Sequence, residues 1–310
     1  MTVPEINDPG TLPLVLGGNV FGWTAERDES FAVLDAFAEA GGTMIDTADA
    51  YSAWVPGHSG GESEAILGEW LTARGNRDRM IIATKVAKSP QRPGLHADNI
   101  RAAVEDSLRR LGTDHLDIYY AHTDDTDVPL AETLGAFDEL VRAGKVRALG
   151  ASQYTAPRLA EALAVADSAG LTRYSVVQPL YNLLERDVYE GELAELCVRE
   201  NLAVFPYYGL AMGFLTGKYR PGDDTADSPR APRARAYLND RGLRVLAALD
   251  EIAATHDVPV ASVALAWLRA RPGVTAPIAS ARTLPQLPAL LDSAQLTLTA
   301  AEVATLTAAG

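Results

Sequence analysis

The sequence predicts a single-domain closed parallel (β/α)8 barrel, of the TIM-barrel class, spanning residues 1–310, and three observations predict it. Short apolar runs alternate with segments of helical period eight times along the chain. Those runs are continuously apolar, as strands covered on both faces are. A doubly wound open sheet is the alternative, but it places a Gly-x-Gly-x-x-Gly turn after its first strand, and Gly17-Gly18-Asn19-Val20-Phe21-Gly22 does not match that pattern. A chain of 310 residues suits one barrel, since these typically run from about 250 to more than 400 residues.

The elements follow in order. A strand near 12–16 leads through Gly17-Gly18 to a helix over 28–40. Strand 43–46 precedes a helix over 62–73, in which Ile66, Leu67, Trp70 and Leu71 lie at helical spacing. Strand 80–85 precedes helix 97–111, where Ile100, Val104, Leu108 and Leu111 form one stripe. Strand 116–121 precedes helix 130–143, stopped by Gly144. Strand 146–151 with helix 156–169, strand 175–179 with helix 187–200, and strand 202–206 continue the rhythm. A Pro/Gly/Arg-rich stretch over 208–237 interrupts it. Helices over 242–255 and 260–271, a strand over 276–279, and helices over 283–291 and 299–308 complete the chain.

Composition narrows the function. No apolar run approaches the roughly 20 residues that a membrane helix needs. Met1–Gly10 carries neither a basic patch nor an apolar segment, so no secretory signal is expected. A single cysteine, Cys197, precludes an internal disulfide and fits a reducing cytoplasm; its place in a helical stripe marks it as a buried packing residue. The net charge of −14 argues against nucleic acid or an anionic membrane as partner. The five histidines are His58, His96, His115, His122 and His256, and no pair has helical ligand spacing, so no metal site is expected.

Three successive strand-like runs end in chemistry. The stretch 43–45 runs into Asp46, with Tyr51 five residues beyond; the run from Ile81 ends in Lys85, and the run from Leu116 ends in His122. A carboxylate closing a buried strand is costly unless a cation meets it, and only four of the 27 basic residues are lysines, which makes the placement of Lys85 informative. In a parallel barrel the C-terminal strand ends share one site, so Asp46, Tyr51, Lys85 and His122 converge. Such a set suits carbonyl reduction. The alkoxide-like oxygen formed by hydride addition needs a proton donor and a positive environment. A tyrosine with a free pKa of about 10 is a poor acid until a cation lowers that value, so Lys85 would tune Tyr51, Asp46 would hold Lys85, and His122 would orient the carbonyl. The alternative for Asp46 and Lys85 is a structural ion pair.

These residues lie in stretches that resemble the aldo-keto reductases. They are Asp46-Thr47-Ala48-Asp49-Ala50-Tyr51, Gly61-Glu62-Ser63-Glu64-Ala65-Ile66-Leu67-Gly68, Ala83-Thr84-Lys85 and Leu116-Asp117-Ile118-Tyr119-Tyr120-Ala121-His122. They continue through Gly144-Lys145-Val146-Arg147-Ala148-Leu149-Gly150-Ala151-Ser152, Gln178-Pro179-Leu180-Tyr181-Asn182, Gly213-Phe214-Leu215-Thr216-Gly217-Lys218-Tyr219 and Ser280-Ala281-Arg282-Thr283. The resemblance covers essentially the whole chain and implies an NADPH-dependent oxidoreductase acting on a small carbonyl substrate. By resemblance, Ser280 and Arg282 hold the cofactor 2′-phosphate, aided by a helix start at that point, and Gln286 lies against adenine. Ser152, Gln153 and Gln178 match positions that bond the nicotinamide amide, and Tyr207 matches the ring stacked on it. Trp23, Asp46, Leu210, Gly213 and Lys218 complete the cofactor set. Lys218–Arg244 carries seven basic residues against four acidic ones, which suits a loop over a pyrophosphate. Three departures stand out: Gln153 replaces the usual Asn, Tyr207-Tyr208-Gly209-Leu210 replaces Tyr-Ser-Pro-Leu, and Leu290 replaces an Asn that follows Gln286.

Phe21, Trp23, Trp54 and Tyr208, with Tyr51 and His122, are the expected substrate walls for an aldehyde or ketone. The different-class reading is a cofactor-binding sensor or regulatory subunit of the same fold, and a cofactor-free barrel lyase is a third. The sequence does not speak to oligomeric state.

Overall fold

The computed structural model describes residues 11–222 and 228–310. The reading of Met1–Gly10 and the part of the basic stretch at 223–227 lie outside the described residues. Eight parallel strands carry the fold: β1 (Val15–Gly17), β2 (Met44–Asp46), β3 (Ile81–Val86), β4 (Leu116–Ala121), β5 (Val146–Ser152), β6 (Tyr174–Gln178), β7 (Ala203–Val204) and β8 (Ile278–Ala279). They pair in the order β8-β1-β2-β3-β4-β5-β6-β7. The free edges are brought together by Ile278 N–H donating to the Pro206 carbonyl at 2.9 Å and Thr275 N–H donating to the Val204 carbonyl at 2.9 Å. The barrel expected from the apolar periodicity is the fold found.

Strand period two decides which residues reach the interior. Val15, Met44, Ile81, Ala83, Ile118, Tyr120, Ala148, Val176 and Ile278 form a core inside the barrel. Their neighbours Leu16, Ile45, Ile82, Tyr119, Leu149 and Val177 pack outward into the core beneath the helices. The same inward parity, carried further along each strand, gives Asp46 after Met44, Lys85 after Ala83, His122 after Tyr120, Gln178 after Val176 and Ser152 after Ala148 and Gly150. All five therefore stand as one polar layer above an apolar plug. Gly150 is glycine for a packing reason: a Cβ there would overlap the Tyr120 ring, which lies under Lys85 with Nζ 5.9 Å from its centroid.

The helices lie close to their expected places. They are α1 (Arg27–Glu39), α2 (Glu62–Arg74), α3 (Ala97–Leu111), α4 (Leu130–Arg142), α5 (Ala156–Ala169), α6 (Glu192–Arg199), α7 (Ala231–Arg235), α8 (Asp240–His256), α9 (Val260–Arg269), α10 (Leu287–Gln295) and α11 (Ala300–Ala309). Two expectations are corrected. The helix expected over 187–200 starts only at Glu192, because Gly191 sits at φ +91 and the Asn182 side chain accepts from Leu184 and Glu185 N–H to hold a turn instead. Ser280-Ala281-Arg282 does not open a helix: Thr283 is extended, and a short 3-10 turn at Leu284–Gln286 precedes α10. The helix dipole expected at Arg282 is therefore absent from that turn.

Candidate active site

The Lys85 ammonium is the centre of the site. It is fully buried and donates to Asp46 Oδ2 at 2.6 Å and to the Thr47 carbonyl at 2.7 Å. Its Nζ lies 3.2 Å from the Tyr51 hydroxyl. Burial acts to lower the Lys85 pKa, but Asp46 and Tyr51 outweigh it and raise the value, so the lysine stays charged. The other Asp46 oxygen accepts from Gln178 Nε2 at 2.9 Å. Asp46 is thus fixed from β6 as well as from β3.

Tyr51 reaches this cluster from a loop. Its own N–H donates to the Ala48 carbonyl at 3.1 Å, and its carbonyl accepts from Gly61 at 2.9 Å and Ser63 at 3.2 Å, which ties the tyrosine to the start of α2. The phenol pKa is raised, because burial outweighs the lowering by Lys85. That corrects the net direction expected from the sequence: Lys85 opposes the shift without reversing it in this state. The phenol is therefore protonated at neutral pH, as a proton donor must be.

His122 faces Tyr51 with ring centroids 5.8 Å apart. Burial, then Lys85 and Lys88, push its pKa well below the ordinary value, so the imidazole is neutral. Its buried Nδ1 has no hydrogen-bond partner among the described residues. A neutral imidazole offers one donor and one acceptor to a bound group.

The aromatic mouth is built from Trp23 and Trp54. Their rings meet edge-on at 5.4 Å, and Trp54 meets Tyr51 edge-on at 5.6 Å. Trp54 remains 47 % exposed. Tyr208 is half-buried and edge-on to Tyr207 at 5.1 Å, and its φ of +56 is unusual for a bulky side chain. Phe21 does not join them: it is fully buried in the core beneath the helices, so the expectation of a substrate wall does not hold there.

The expected cofactor residues divide. Lys218 has its pKa lowered by burial and then by Arg282 and Arg230, so three cations share one region. Among the described residues none of the three makes a salt bridge to a carboxylate. Gly213, at φ +95, lies beside Lys218, whose Nζ would be 3.5 Å from a Cβ at that position. Leu210 is half-buried against the core. Ser280 donates to Asn19 Oδ1 at 2.9 Å, and Gly17 lacks a Cβ where one would come within 2.5 Å of the Ser280 hydroxyl. Gln286 accepts from Arg282 N–H at 2.9 Å, which folds the turn on itself. Ser152 donates to the Gln178 carbonyl at 3.0 Å, and Tyr207 is half-buried with its pKa pushed up to about 12, chiefly by burial.

The three departures have physical readings. Gln153 is exposed at φ +58, a left-handed conformation that Asn tolerates better than Gln. Tyr208 is held through its carbonyl, which accepts from Asn182 Nδ2 at 3.0 Å. Leu290 is buried and packs with the core.

Sequence reasoning missed two groups. Arg230 lies over the Trp23 ring, 5.0 Å from its centroid; its stretch is irregular, and nothing in the local pattern separates it from neighbouring arginines. Asp49, only 3 % exposed, has among the described residues no well-formed hydrogen bond to either carboxylate oxygen beyond a weak approach of the Ala50 N–H, and it borders a cavity of about 20 Å³ that it shares with Arg92, Asp106 and Arg110, large enough for a single water. Burial and then Glu64 raise its pKa to about 8. The folded state holds that proton while the unfolded chain loses it near the ordinary value, so stability falls as pH rises from about 4 to about 8 and then levels. Asp49→Asn is expected to remove up to about 1.4 kcal/mol per pH unit of that slope, which denaturant unfolding of both proteins across this window measures; parallel slopes would contradict it.

Among the described residues no group of three or more His, Cys, Asp or Glu side chains could hold a metal ion, and no helix is long and apolar enough to cross a membrane.

Comparison with known proteins places the chain in a family. The model of the aldo/keto reductase family matches residues 13–310. Protein tas of Escherichia coli is 34 % identical over 92 % of this chain and 90 % of its own length. Norsolorinic acid reductase stcV of Emericella nidulans is 33 % identical over 94 % of the chain and 76 % of its own length. The aryl-alcohol dehydrogenase [NADP(+)] of Phanerodontia chrysosporium is 30 % identical over 89 % and 74 %. The chain belongs to the aldo/keto reductase family.

Proposed function

We propose that this protein is an NADPH-dependent oxidoreductase that reduces an aldehyde or ketone to an alcohol, with Tyr51 as proton donor. One observation carries the reading: a single buried ammonium, Lys85, joins Asp46 to the Tyr51 hydroxyl. The family and the names of its relatives support a nicotinamide cofactor. The residues fit such a group, because Lys218, Arg230 and Arg282 crowd together and a polyanion relieves their repulsion, while the unpartnered His122 Nδ1 awaits a polar group. Lys218 and Arg230 would hold the pyrophosphate, Arg282 and Ser280 the 2′-phosphate, and Ser152, Gln178 and Tyr207 the nicotinamide end. When bound, the cofactor supplies the hydride.

The chain's own residues do the rest. His122 orients the carbonyl through a hydrogen bond from its neutral ring. Tyr51 gives its hydroxyl proton to the carbonyl oxygen as charge develops there, and Lys85 stabilises the phenolate left behind. Asp46, held by Gln178, keeps Lys85 charged and aimed. Trp23, Trp54 and Tyr208 favour a flat or apolar substituent, in line with relatives named for aryl alcohols and norsolorinic acid. A cofactor-sensing subunit would bind the dinucleotide with little turnover.

A panel of aldehydes and ketones with NADPH separates the two readings; binding without turnover on any of them would favour the sensor. Cofactor titration by fluorescence tests the phosphate assignment. Tighter binding of NADPH than of NADH is expected, with Arg282→Ala erasing most of the difference, whereas equal affinities in the parent protein would remove Arg282 from that role.

A further inference from the structure

The loop between Tyr51 and α2 is organised by a residue that the catalytic set does not use. Glu62 is the first residue of α2, and its carboxylate turns back onto the loop. Oε1 accepts from Ser59 N–H at 2.8 Å, Oε2 accepts from Ser52 N–H at 3.0 Å, and Gly60 N–H lies 3.2 and 3.1 Å from the two oxygens. These three amides flank Trp54 on both sides, so one carboxylate fastens both ends of the segment that presents the indole. Burial opposes ionisation of Glu62, but the backbone N–H groups outweigh it and lower the pKa, so the carboxylate persists at neutral pH.

The partner indole, Trp23, is keyed to the same point. The Ser52 hydroxyl lies 3.1 Å from the Gly22 carbonyl and 3.0 Å from His58 Nδ1, and Gly22 immediately precedes Trp23. Gly22 packs so closely on α2 that a Cβ there would lie 3.1 Å from the Glu62 Cβ, at a φ of +69 that already favours glycine. Trp54 is thus held directly by the Glu62 carboxylate, and Trp23 indirectly, through the Ser52 hydroxyl and the packing of Gly22 on Glu62. A charged acceptor serving three amides is stronger than neutral bonds, and no neutral side chain supplies two acceptor oxygens in that place.

We propose that Glu62 is a positioning residue that sets the Trp54–Trp23 wall beside Tyr51 and thereby makes the site prefer aromatic carbonyls over aliphatic ones. The proposal rests on the carbonyl-reductase reading for its substrate but not for its geometry, and the test separates the two. Glu62→Gln keeps the side chain's size while replacing one acceptor oxygen by a donor. Hydrogen exchange across residues 52–60 of the full protein is expected to quicken at least tenfold at Ser52, Ser59 and Gly60. With 4-nitrobenzaldehyde as the aromatic probe, KM is expected to rise at least fivefold with kcat within twofold; with butyraldehyde both constants stay within twofold, and NADPH affinity is unchanged. Trp54→Ala should reproduce the aromatic KM change, and the double variant should add nothing further.

Unchanged exchange in Glu62→Gln would overturn the clamp. Equal KM changes for both aldehydes, or additive effects in the double variant, would overturn the link to specificity. If the parent protein turns over neither aldehyde, the carbonyl-reductase reading fails by itself, and the clamp is then judged by exchange and by quenching of tryptophan fluorescence with 4-nitrobenzaldehyde. In that case a dissociation constant unaltered by Glu62→Gln overturns the link to the aromatic wall, and a fivefold weakening supports it. Trp70 and Trp267 are fully buried, so that signal comes from Trp23 and Trp54.

Discussion

Lys85→Met is expected to abolish turnover and to destabilise the fold by about 3–5 kcal/mol, the usual cost of orphaning a buried charge. Methionine fills similar space but leaves Asp46, only 3 % exposed, with Gln178 Nε2 as its remaining side-chain donor. The Thr47 carbonyl loses its ammonium donor as well. The catalytic loss has a separate cause: no cation remains to stabilise a Tyr51 phenolate in a place where burial already raises the phenol pKa. Combining the change with Asp46→Asn separates the two effects, since it removes the orphaned charge without restoring the cation. Urea unfolding should show the double variant regaining much of the lost stability while turnover stays absent. Strictly additive destabilisation would mean that Asp46 and Lys85 are not the coupled pair their 2.6 Å contact implies. Asp46→Asn alone should be milder, because an amide retains hydrogen bonding and loses only the charge.

The convergence of Asp46, Lys85 and His122 is legible in the sequence because each closes a buried apolar run and the C-terminal strand ends of a parallel barrel share one face. An apolar run that ends in a charged residue can only point that residue at the top of the barrel or out under a helix. In the structure Asp46, Lys85 and His122 each continue the inward set of Met44, Ala83 and Tyr120. The helices were legible for the same kind of reason, since Ile100, Val104, Leu108 and Leu111 repeat at the helical period and all four are buried.

Where backbone geometry or unlike neighbours decide, the sequence was silent. Glu62 was quoted within a motif but carries its role through three loop amides, and amide directions leave no mark in residue identity. Asp49 reads as one more polar residue of a loop; its burial follows from α3 packing over that loop. Arg230 acts from a stretch without period. The helix expected to open at Arg282 begins later because Thr283 is extended and the chain first makes the 3-10 turn Leu284–Gln286. A lowered Tyr51 pKa is expected from its cation neighbour, whereas the depth of the site gives burial the larger influence and raises it.

The central claim is that the Tyr51 hydroxyl delivers the proton. Tyr51→Phe removes one oxygen and leaves the ring that packs edge-on with Trp54 and His122, so NADPH binding and folding should be nearly unchanged. The oxygen is needed where charge develops in the transition state, so its loss should appear in the hydride-transfer rate. The decisive measurement is single-turnover oxidation of bound NADPH by a good aldehyde substrate, followed by absorbance, in parent and variant after circular dichroism shows both folded. The account predicts a fall of about a thousandfold or more, equivalent to about 4 kcal/mol in the barrier; a folded Tyr51→Phe protein that transfers hydride within about tenfold of the parent, about 1.4 kcal/mol, would show that another group donates the proton.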